Sequence, residues 1–472
     1  MRHLDFFNHL ANRRIQSRKK HAYYWNDITQ HCDYFIHPES SVLEIGCGCG
    51  ELINAVSGKR KLGLDFSPAM IQQAKEQYPG IEFQIMDAEA LTISEPFDVI
   101  IISNTIGYLN DVQKVFEGLH KVSHPKTKIF ITYYNYMWQP ILKLAEVLGL
   151  KQKMPPQNWL TQKDIGNLLY LAGFDMFSSS KSLLLPINIP IISLLVNRYL
   201  AKLPLINSCT LNTFCIARPI PNVDYSEEKA NEQHSVSVII PARNESGNIE
   251  NAVLRTPEFG KSVELIFIEG NSTDDTWSKI QEIAEKYQTT HTIQIGRQEG
   301  KGKGDAVRKG FDMATGDILM ILDADLTVPP EDLPKFYTAL VSGKGEFING
   351  SRLVYAMEKQ AMRFLNILGN KFFSVAFSWL LGQPFKDTLC GTKVLFKKDY
   401  TKIRENRSYF GDFDPFGDYD LIFGAHKLNL KITELPIVYQ QRVYGETNIS
   451  RFKHGLILLR MCLFAAKKIK FK

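Results

Sequence analysis

The stretch that decides the fold of the first half is SVLEIGCGCGELINAV, Ser41 to Val56. Its apolar run from Val42 to Ile45 predicts a strand, and a helix is expected from Glu51. Three glycines lie between them, at Gly46, Gly48 and Gly50. Glycines let the backbone turn sharply and let a ligand approach its N–H groups, and the start of a helix adds a positive dipole end. The stretch therefore predicts a ligand-binding turn between a strand and a helix.

Two acidic residues follow at the ends of further predicted strands. KLGLDFS brings a second strand to Asp65, about 20 residues beyond the turn, where an acid can accept hydrogen bonds from a ribose diol. EFQIMDAEAL places Asp87 at the end of a third strand, and FDVIIISNTIGYLND supplies a fourth. Strands alternating with amphipathic helices predict a parallel α/β sheet.

These motifs resemble the class I S-adenosylmethionine-dependent methyltransferases from about Ser40 to Arg218. EIGCGCG is similar to their cofactor glycine motif, GLDFSPAMI to the segment with their ribose-binding acid, and MDAE to that with their adenine-binding acid. The resemblance implies S-adenosyl-L-methionine as cofactor. It assigns the methionine end to Glu44, Gly46, Gly48 and Gly50, the ribose to Asp65 and the adenine to Asp87.

The methyl acceptor is not indicated by any motif. Four aromatic residues are candidates for an acceptor pocket, with packing in the core as the alternative: Tyr108, Tyr133, Tyr134 and Trp138. No residue is assigned as a base for methyl transfer. In such enzymes the site mainly aligns the acceptor with a methyl group that is already activated.

Acidic residues also close the predicted strands of the second half. SVSVIIPARNESGNIENAV predicts a strand broken by Pro241, a polar turn and a helix, and VELIFIEGNSTDDTW a second strand that ends in Glu269. DILMILDADLTVPPEDL predicts a third strand, which closes with Asp323 and Asp325. Alternate residues of an extended chain face the same side, so two carboxylates meet there. Such a pair suits a divalent cation and a diphosphate.

The ordered set PARNES, EGNSTDDT, GKGKGDAVRKGF and DADLT resembles the family 2 glycosyltransferases of the GT-A fold, over about Val236 to Ser450. The resemblance implies a nucleotide-sugar donor and Mg²⁺ or Mn²⁺. It assigns the nucleotide sugar to Pro241, Ala242, Glu245, Glu269 and Asp323, and the metal to Asp323 and Asp325.

DTLCGTKVLF and RVYGETNIS are similar to the dolichyl-phosphate-mannose synthase-like branch of that family. Three residues are the catalytic candidates. The guanidinium of Arg442 suits a phosphate. Asp418, in GDYDL, is the better candidate for a general base, and Asp387 is the other. A sugar hydroxyl would need a base, whereas a polyprenyl phosphate is already an anion and would leave Asp418 a structural role. The resemblance implies inversion by a single displacement.

The whole chain has 472 residues, which predicts two or three domains. With 44% hydrophobic and 22% charged residues it is neither a disordered nor a multi-span membrane protein. A formal charge of +6 does not argue for nucleic acid, and the seven scattered cysteines predict neither a disulfide framework nor a zinc site. The expected fold class is α/β with two doubly wound domains, a Rossmann-like methyltransferase over 1–218 and a GT-A glycosyltransferase over 235–450. A linker is expected over 219–234 and a basic amphipathic helix over 451–472.

No uninterrupted apolar stretch reaches about 18 to 20 residues, so no transmembrane helix is expected. Three stretches are candidates for contact with a bilayer, each with packing inside the protein as the alternative: Leu183 to Ile206, Phe364 to Phe385 and the C-terminal helix. The N-terminus lacks a secretory signal. We expect a cytoplasmic protein, with peripheral attachment to the inner face of the membrane left open.

The leading hypothesis is a bifunctional enzyme of one glycan or glycolipid pathway. Its first half would transfer methyl groups, and its second would transfer a sugar to a polyprenyl phosphate or glycolipid. Two alternatives remain at this point. One is a glycosyltransferase with a soluble sugar acceptor, and the other is a membrane-recruited scaffold whose methyltransferase domain binds ligand without turnover.

Overall fold

The structure is a computed structural model that describes residues 3–221, 234–352, 364–388, 390–407, 418–437 and 451–471, with Gln440, Arg442 and Tyr444. Within these ranges it leaves out the side chains at 12, 13, 15–17, 19, 20, 364–371, 418 and 451–455. The chain divides into two compact units, 1–220 with 470–472, and 221–469. Each unit contains a seven-stranded sheet. The predicted α/β class with two separate sheets is confirmed.

The first unit alternates strands and helices before ending in an antiparallel pair. Its helices are α1 (Leu4–Lys20), α2 (Ala22–Asp33), α3 (Glu51–Ala55), α4 (Pro68–Gln77), α5 (Val112–Gly118), α6 (Gln139–Val147), α7 (Gln162–Leu171) and α8 (Ile192–Arg198). Its strands are β1 (Ser41–Ile45), β2 (Arg60–Asp65), β3 (Glu82–Ile85), β4 (Phe97–Ser103), β5 (Ser123–Tyr134), β6 (Phe174–Ser182) and β7 (Asn212–Pro219).

The first sheet has the order β3-β2-β1-β4-β5-β7-β6. Strands β1 to β5 pair in parallel, and β7 is antiparallel to both β5 and β6. The strand order reverses between β1 and β4, and ligands of open α/β sheets bind in the crevice beyond the carboxyl ends at such a point. The Gly-rich turn and the residues after β4 therefore lie at the edge where a ligand is expected.

Local capping fixes where the helices of this unit begin. The Ser67 hydroxyl accepts from the amide of Met70 at the start of α4, and Asp111 does the same for Lys114 in α5. Helix α7 begins with a capping box, in which Thr161 and Asp164 each accept a hydrogen bond from the other's amide. These caps satisfy amides that a helix leaves unpaired at its first turn.

The second unit repeats the alternation with different turns. Its strands are β8 (Ser235–Ala242), β9 (Ser262–Glu269), β10 (Thr292–Arg297), β11 (Ile318–Ile321), β12 (Phe347–Ser351), β13 (Lys393–Phe396) and β14 (Ile432–Pro436). Its helices are α9 (Ile249–Arg255), α10 (Thr276–Tyr287), α11 (Lys303–Met313), α12 (Leu333–Val341), α13 (Phe364–Leu381), α14 (Lys397–Glu405), α15 (Asp418–Lys427) and α16 (Arg451–Ile469).

The second sheet has the order β10-β9-β8-β11-β13-β12-β14, in which β13 is antiparallel to both neighbours. Strand β8 is not broken at Pro241, because Pro241 pairs with Ile268 of β9 inside the strand. The other neighbour, β11, pairs with β8 only as far as Ile239. The missing proline N–H therefore falls beyond the ladder with β11, where it interrupts no pairing.

Among the described residues, none of the helices combines the length and the hydropathy that a bilayer-spanning helix needs. The three apolar stretches differ in exposure. Helix α16 packs against α13 and buries Leu458, Met461 and Ala465. Helix α13 buries Phe377 and Leu380 in turn. The segment between β6 and β7, by contrast, has most of its large apolar side chains exposed.

Candidate functional sites

The turn after β1 is shaped by close contacts that admit only glycine at two positions. Gly46 has φ +77°, and a β-carbon there would lie 2.2 Å from Oγ1 of Thr105. Gly48 has φ +56°, and its β-carbon would lie 2.4 Å from Cζ of Arg14. The amide of Gly46 also donates to the carbonyl of Leu64 at 2.8 Å. The turn is thus held between β2, the loop after β4 and helix α1.

Asp65 ties the end of β2 to this turn. Its Oδ2 accepts from the amide of Gly48 and its Oδ1 from the amide of Ser67, both at 2.9 Å. Burial raises the pKa of Asp65 above its ordinary value, although these two amides act in the opposite direction. Asp65 also lines the cavity beside the turn.

The cavity brings together three of the residues assigned to the cofactor. Gly46, Asp65 and Asp87 all line it. Oδ1 of Asp87 accepts from the amide of Glu89 at 2.9 Å, which fixes the carboxylate at the start of a 3₁₀ turn, Ala88–Ala90. The other assigned residues, Glu44, Gly48 and Gly50, belong to the strand and turn beside the cavity and are not among its lining residues.

Glu44 instead faces the helix that follows the turn. Its side chain is buried, and its Oε2 accepts from the amide of Ile53 in α3 at 2.9 Å. Burial raises the pKa of Glu44 to about 8, even though Arg18 and Arg14 act to lower it. The carboxyl group therefore positions α3 behind the turn.

Helix α1 adds cavity residues that no sequence motif marks. Phe7 and Arg14 both line the cavity. The ring of Phe7 meets those of Phe66 and Tyr108 edge to face, with centroids 5.5 and 5.3 Å apart. Nε of Arg14 lies 3.8 Å from Oε2 of Glu51. Because α1 precedes the glycine motif and carries no motif of its own, the sequence contains no signal for these two residues.

Part of the cavity lining consists of aromatic and amide side chains. Tyr108, Tyr134 and Asn104 form this part. Nδ2 of Asn104 donates to the hydroxyl of Tyr24 at 2.7 Å. Burial raises the pKa of Tyr24, Tyr108 and Tyr134 above the ordinary tyrosine value, so these hydroxyls stay protonated at neutral pH. They are hydrogen-bonding and packing groups rather than bases.

The other two aromatic candidates lie farther along the same edge. Tyr133 lines an adjoining hollow with Asn158 and Leu160, which shares Asn104 and Tyr134 with the first cavity. Nε1 of Trp138 donates to the carbonyl of Cys209 at 2.8 Å, and the ring is not part of either lining.

In the second unit, the carboxyl ends of β8, β9 and β11 meet at one edge. Ala242 of β8 pairs with Glu269 of β9. Glu269 is buried; its Oε1 accepts from the amide of Ser272 at 2.5 Å, and its Oε2 lies 3.7 Å from Nε of Arg297. The glutamate thus shapes the turn that follows β9.

Arg442 joins two of the predicted site residues. Its Nη1 donates to Oε1 of Glu245 at 2.9 Å and its Nη2 to Oδ2 of Asp325 at 2.6 Å. Asp325 is further fixed by the amide and the hydroxyl of Thr327, at 3.1 and 2.9 Å. Burial raises the pKa of Glu245 to about 7, with Arg442 acting in the opposite direction.

Asp323 lies against a lysine and a glycine that the motif analysis did not single out. Nζ of Lys303, at the start of α11, is 2.6 Å from its Oδ1. A β-carbon at Gly391 would lie 2.0 Å from its Oδ2. Lys303 stands in the Gly-rich segment GKGKGDAVRKGF, and a lysine flanked by glycines there was the available clue.

Of the two predicted base candidates, the structure describes the side chain of Asp387 and not that of Asp418. Asp387 is fully buried, and Arg352 donates to both of its oxygens, from Nε at 2.7 Å and Nη2 at 2.8 Å. This bidentate pair holds Asp387 in a structural arrangement. Asp418 is the first residue of α15, and its side chain lies outside the described part of the chain.

The family comparisons match both units. Residues 237–402 match the model of glycosyl transferase family 2, and residues 36–173 match that of a methyltransferase domain. The two matched segments contain the strand ends described above.

Similar curated proteins each align with less than half of this chain. A dolichol-phosphate mannosyltransferase of Pyrococcus furiosus is 40% identical over 218 residues, which are 45% of this chain and 59% of the relative. An undecaprenyl-phosphate 4-deoxy-4-formamido-L-arabinose transferase of Klebsiella pneumoniae is 34% identical over 221 residues, 46% of this chain and 62% of the relative. The chain thus spans less than two thirds of the length of either.

Among solved structures, an S-adenosylmethionine-dependent methyltransferase of Mesorhizobium loti is 16% identical, with a TM-score of 0.32, over 40% of this chain and 97% of that one. The family matches are the stronger finding, and they fall one in each unit. The chain joins a methyltransferase domain to a glycosyl transferase family 2 domain.

Proposed function

We propose that the chain is a bifunctional transferase of one glycolipid pathway. Its second unit transfers a sugar from a nucleotide sugar to a polyprenyl phosphate, with inversion and with a divalent cation. Its first unit transfers a methyl group from S-adenosyl-L-methionine. The observation that carries the glycosyl-transfer proposal is the arrangement of Asp325, Arg442 and Glu245 at the carboxyl ends of the second sheet.

The donor set at this edge fits a hydrated divalent cation that also binds a diphosphate. Asp323 and Asp325 offer two carboxylates, and the described residues contain no cluster of three or more His, Cys, Asp or Glu that would form a complete protein cage. Mg²⁺ is usually held by one or two carboxylates together with substrate phosphates. Asp323 and Asp325 would hold the cation, which when bound neutralises charge on the leaving diphosphate.

The cations at this edge supply the other half of a diphosphate site. Lys303 and Arg442 each carry a positive charge beside one of these carboxylates. A guanidinium binds phosphate through two parallel N–H groups and an ammonium binds it as a point charge. In the proposed complex Lys303 and Arg442 bind phosphate oxygens, while Glu245 keeps Arg442 in position.

A phosphate acceptor agrees with the state of the acidic residues. Asp387 is fully buried and accepts from Arg352 at both oxygens, so it is not presented to an acceptor hydroxyl. A polyprenyl phosphate needs no such base, because it is already an anion. The similar dolichol- and undecaprenyl-phosphate transferases support the same acceptor class by their names.

In the first unit the cavity residues fit a nucleoside with a charged tail. Asp65 and Asp87 offer carboxylate oxygens to a ribose and an adenine, and Gly46 contributes backbone to the cavity lining beside the turn. The bound cofactor supplies an activated methyl group. Asn104, Tyr108 and Tyr134 form the wall that orients an acceptor in line with it.

The test is release of nucleoside diphosphate by the full chain with Mg²⁺ or Mn²⁺, across a panel of nucleotide sugars, with and without a short polyprenyl phosphate. The proposal expects release with one donor that depends on both the lipid and the metal. Release that ignores the lipid would contradict the acceptor assignment, and release that survives a chelator would contradict the metal assignment.

A further inference from the structure

The segment between β6 and β7, residues 183–211, places its apolar side chains outward. It contains helix α8 and short 3₁₀ turns. Ile191 is 73% exposed and Leu205 88% exposed. Ile187, Ile192 and Leu194 are also more than half exposed. A surface of this kind on one connection marks an interaction site rather than ordinary folding.

Two polar side chains of the same segment, Ser193 and Asn197, are hydrogen-bonded within it. Ser193 is 1% exposed; its hydroxyl donates to the carbonyl of Ile187 at 2.6 Å and accepts from the amide of Ile189 at 2.8 Å. Asn197 binds both the amide and the carbonyl of Leu185, at 2.8 and 2.7 Å. The segment is therefore an ordered structure. Its apolar side chains are exposed while these two polar side chains are bonded inside it, the reverse of what is usual in a loop that faces water.

A strained turn keeps one of these side chains outward. Ile191 has φ +66°, which is rare for a β-branched residue. The amide of Ile192 donates to the carbonyl of Pro190 at 2.7 Å, which closes a three-residue turn around it. Strain of this kind persists only where the surrounding structure determines it, and here it presents an isoleucine to the outside.

All charged side chains of the segment are basic. No Asp or Glu occurs from Met176 to Val223, whereas Arg198 and Lys202 stand within the segment. Lys202 is largely buried, and Arg198 is half-buried with its Nε donating to the carbonyl of Phe471 at 2.7 Å, so Arg198 is the cation at the edge of this surface. Exposed Ile and Leu beside one arginine, without carboxylates, match the chemistry of an anionic lipid surface, because apolar groups enter the acyl boundary and no acidic side chain repels the head groups. A protein partner would not require carboxylates to be absent.

The segment also leaves the sheet at the edge that holds the methyl-transfer cavity. Ser182, at the end of β6, pairs with Asn212, at the start of β7. Asn212 pairs in turn with Tyr134, which lines that cavity. The segment with the exposed apolar side chains therefore begins and ends at strand positions that pair laterally with Tyr134 of the cavity wall.

We propose that residues 183–211 dock the methyltransferase unit on an anionic lipid bilayer, so that its acceptor is carried by a membrane lipid. The inference rests on the proposed function, which already places a lipid substrate at the second unit. It adds a second, separate lipid contact on the first unit and a chemical class for the methyl acceptor.

A fluorescence experiment on the full chain tests the contact at this segment alone. Cys209 is exposed and the other six cysteines are buried, so Leu205→Cys in a Cys209→Ser background directs a thiol dye to the segment. Vesicles of phosphatidylcholine and phosphatidylglycerol carrying nitroxide lipids should lower the fluorescence at position 205 about twofold. The same dye in Leu254→Cys, an exposed site of the second unit, should be unaffected.

A second measurement uses unlabelled protein. Ile191→Glu with Leu205→Glu should lower the fraction bound to these vesicles about tenfold, while S-adenosyl-L-methionine binding stays unchanged and shows that the unit is folded. No quenching at position 205, or dye changes there that follow protein concentration without vesicles, would overturn the proposal, the latter in favour of a second copy. Sugar transfer to a detergent-dispersed polyprenyl phosphate needs no docking, so its failure would count against the proposed function instead.

Discussion

Nη2 of Arg442 lies 2.6 Å from Oδ2 of Asp325, although 117 residues separate them in the sequence. The contact joins the residue expected to bind phosphate to the residue expected to bind metal. Nη1 of the same guanidinium donates to Oε1 of Glu245, so two carboxylates hold the group in place. The proposed glycosyl transfer depends on this arrangement of Arg442, Asp325 and Glu245.

Replacing Arg442 should therefore reduce sugar transfer strongly. A hydrogen bond to a charged group contributes about 1.5–3 kcal/mol, so Arg442→Ala should lower kcat/KM for the lipid phosphate about 10- to 100-fold. Arg442→Lys keeps the charge and should lose less. The measurement is nucleoside-diphosphate release, with Arg404→Ala, an exposed residue paired with Asp312, as control. Equal activity of Arg442→Ala and the control would contradict the phosphate role.

Asp325→Asn should remove metal-dependent turnover. The amide can still accept from Thr327, so the local turn should persist, whereas the negative charge that binds a cation is lost. Turnover should fall by about 100-fold or more, since loss of a metal contact costs several kcal/mol. Titration with Mn²⁺ checks this, and Asp312→Asn, on the exposed side of α11, should keep wild-type metal dependence. An unchanged metal optimum in Asp325→Asn would contradict the assignment.

Asp65→Asn should weaken cofactor binding without affecting the second unit. The change removes a carboxylate that the turn of Gly48 positions toward the cavity. We expect the Kd for S-adenosyl-L-methionine to rise about 10- to 100-fold, the value of a charged hydrogen bond. Calorimetric titration measures it, and Glu117→Gln, on the exposed face of α5, serves as control. Cofactor binding at wild-type strength would place the ribose elsewhere.

The stability of the first unit should fall as the pH rises. Glu44 has a pKa of about 8 in the folded chain, against about 4.3 for an ordinary glutamate. Between these values the folded state keeps a proton that the unfolded state has lost. The free energy of unfolding therefore decreases with pH, by up to about 1.4 kcal/mol per pH unit.

Glu44→Gln tests this dependence, because the amide still accepts from Ile53 but carries no titrating proton. The variant should unfold at a higher temperature than the wild type above pH 8, with a smaller pH slope, in scanning calorimetry. Glu76→Gln, on the exposed side of α4, should leave the slope unchanged. A wild-type slope in Glu44→Gln would assign the pH dependence to another group.

The fold class could be predicted from the sequence because the recognisable motifs lie at the ends of the strands. Gly46, Asp65 and Asp87 lie far apart in the chain, yet parallel strands bring their carboxyl ends to one edge. The same rule placed Glu269 beside Ala242. Spacing along the chain and strand direction together contain this information.

The remaining site features depend on contacts that spacing does not encode. Arg14 reaches the glycine turn from a helix with no motif, and Lys303 meets Asp323 across the sheet edge. The outward orientation of the apolar side chains between β6 and β7 is also not encoded by spacing along the chain. The sequence of this segment is mostly apolar and does not tell which side faces outward, whereas the hydrogen bonds of Ser193 and Asn197 show which polar groups lie inside.

The most direct test of the account is transfer of labelled sugar from the preferred nucleotide sugar into an organic-extractable product by the full chain. With polyprenyl phosphate and Mg²⁺ or Mn²⁺, the account predicts label in the organic phase for the wild type and its near absence for Asp325→Asn. Label that remains in the aqueous phase on a free sugar, or organic label formed equally by Asp325→Asn, would contradict it.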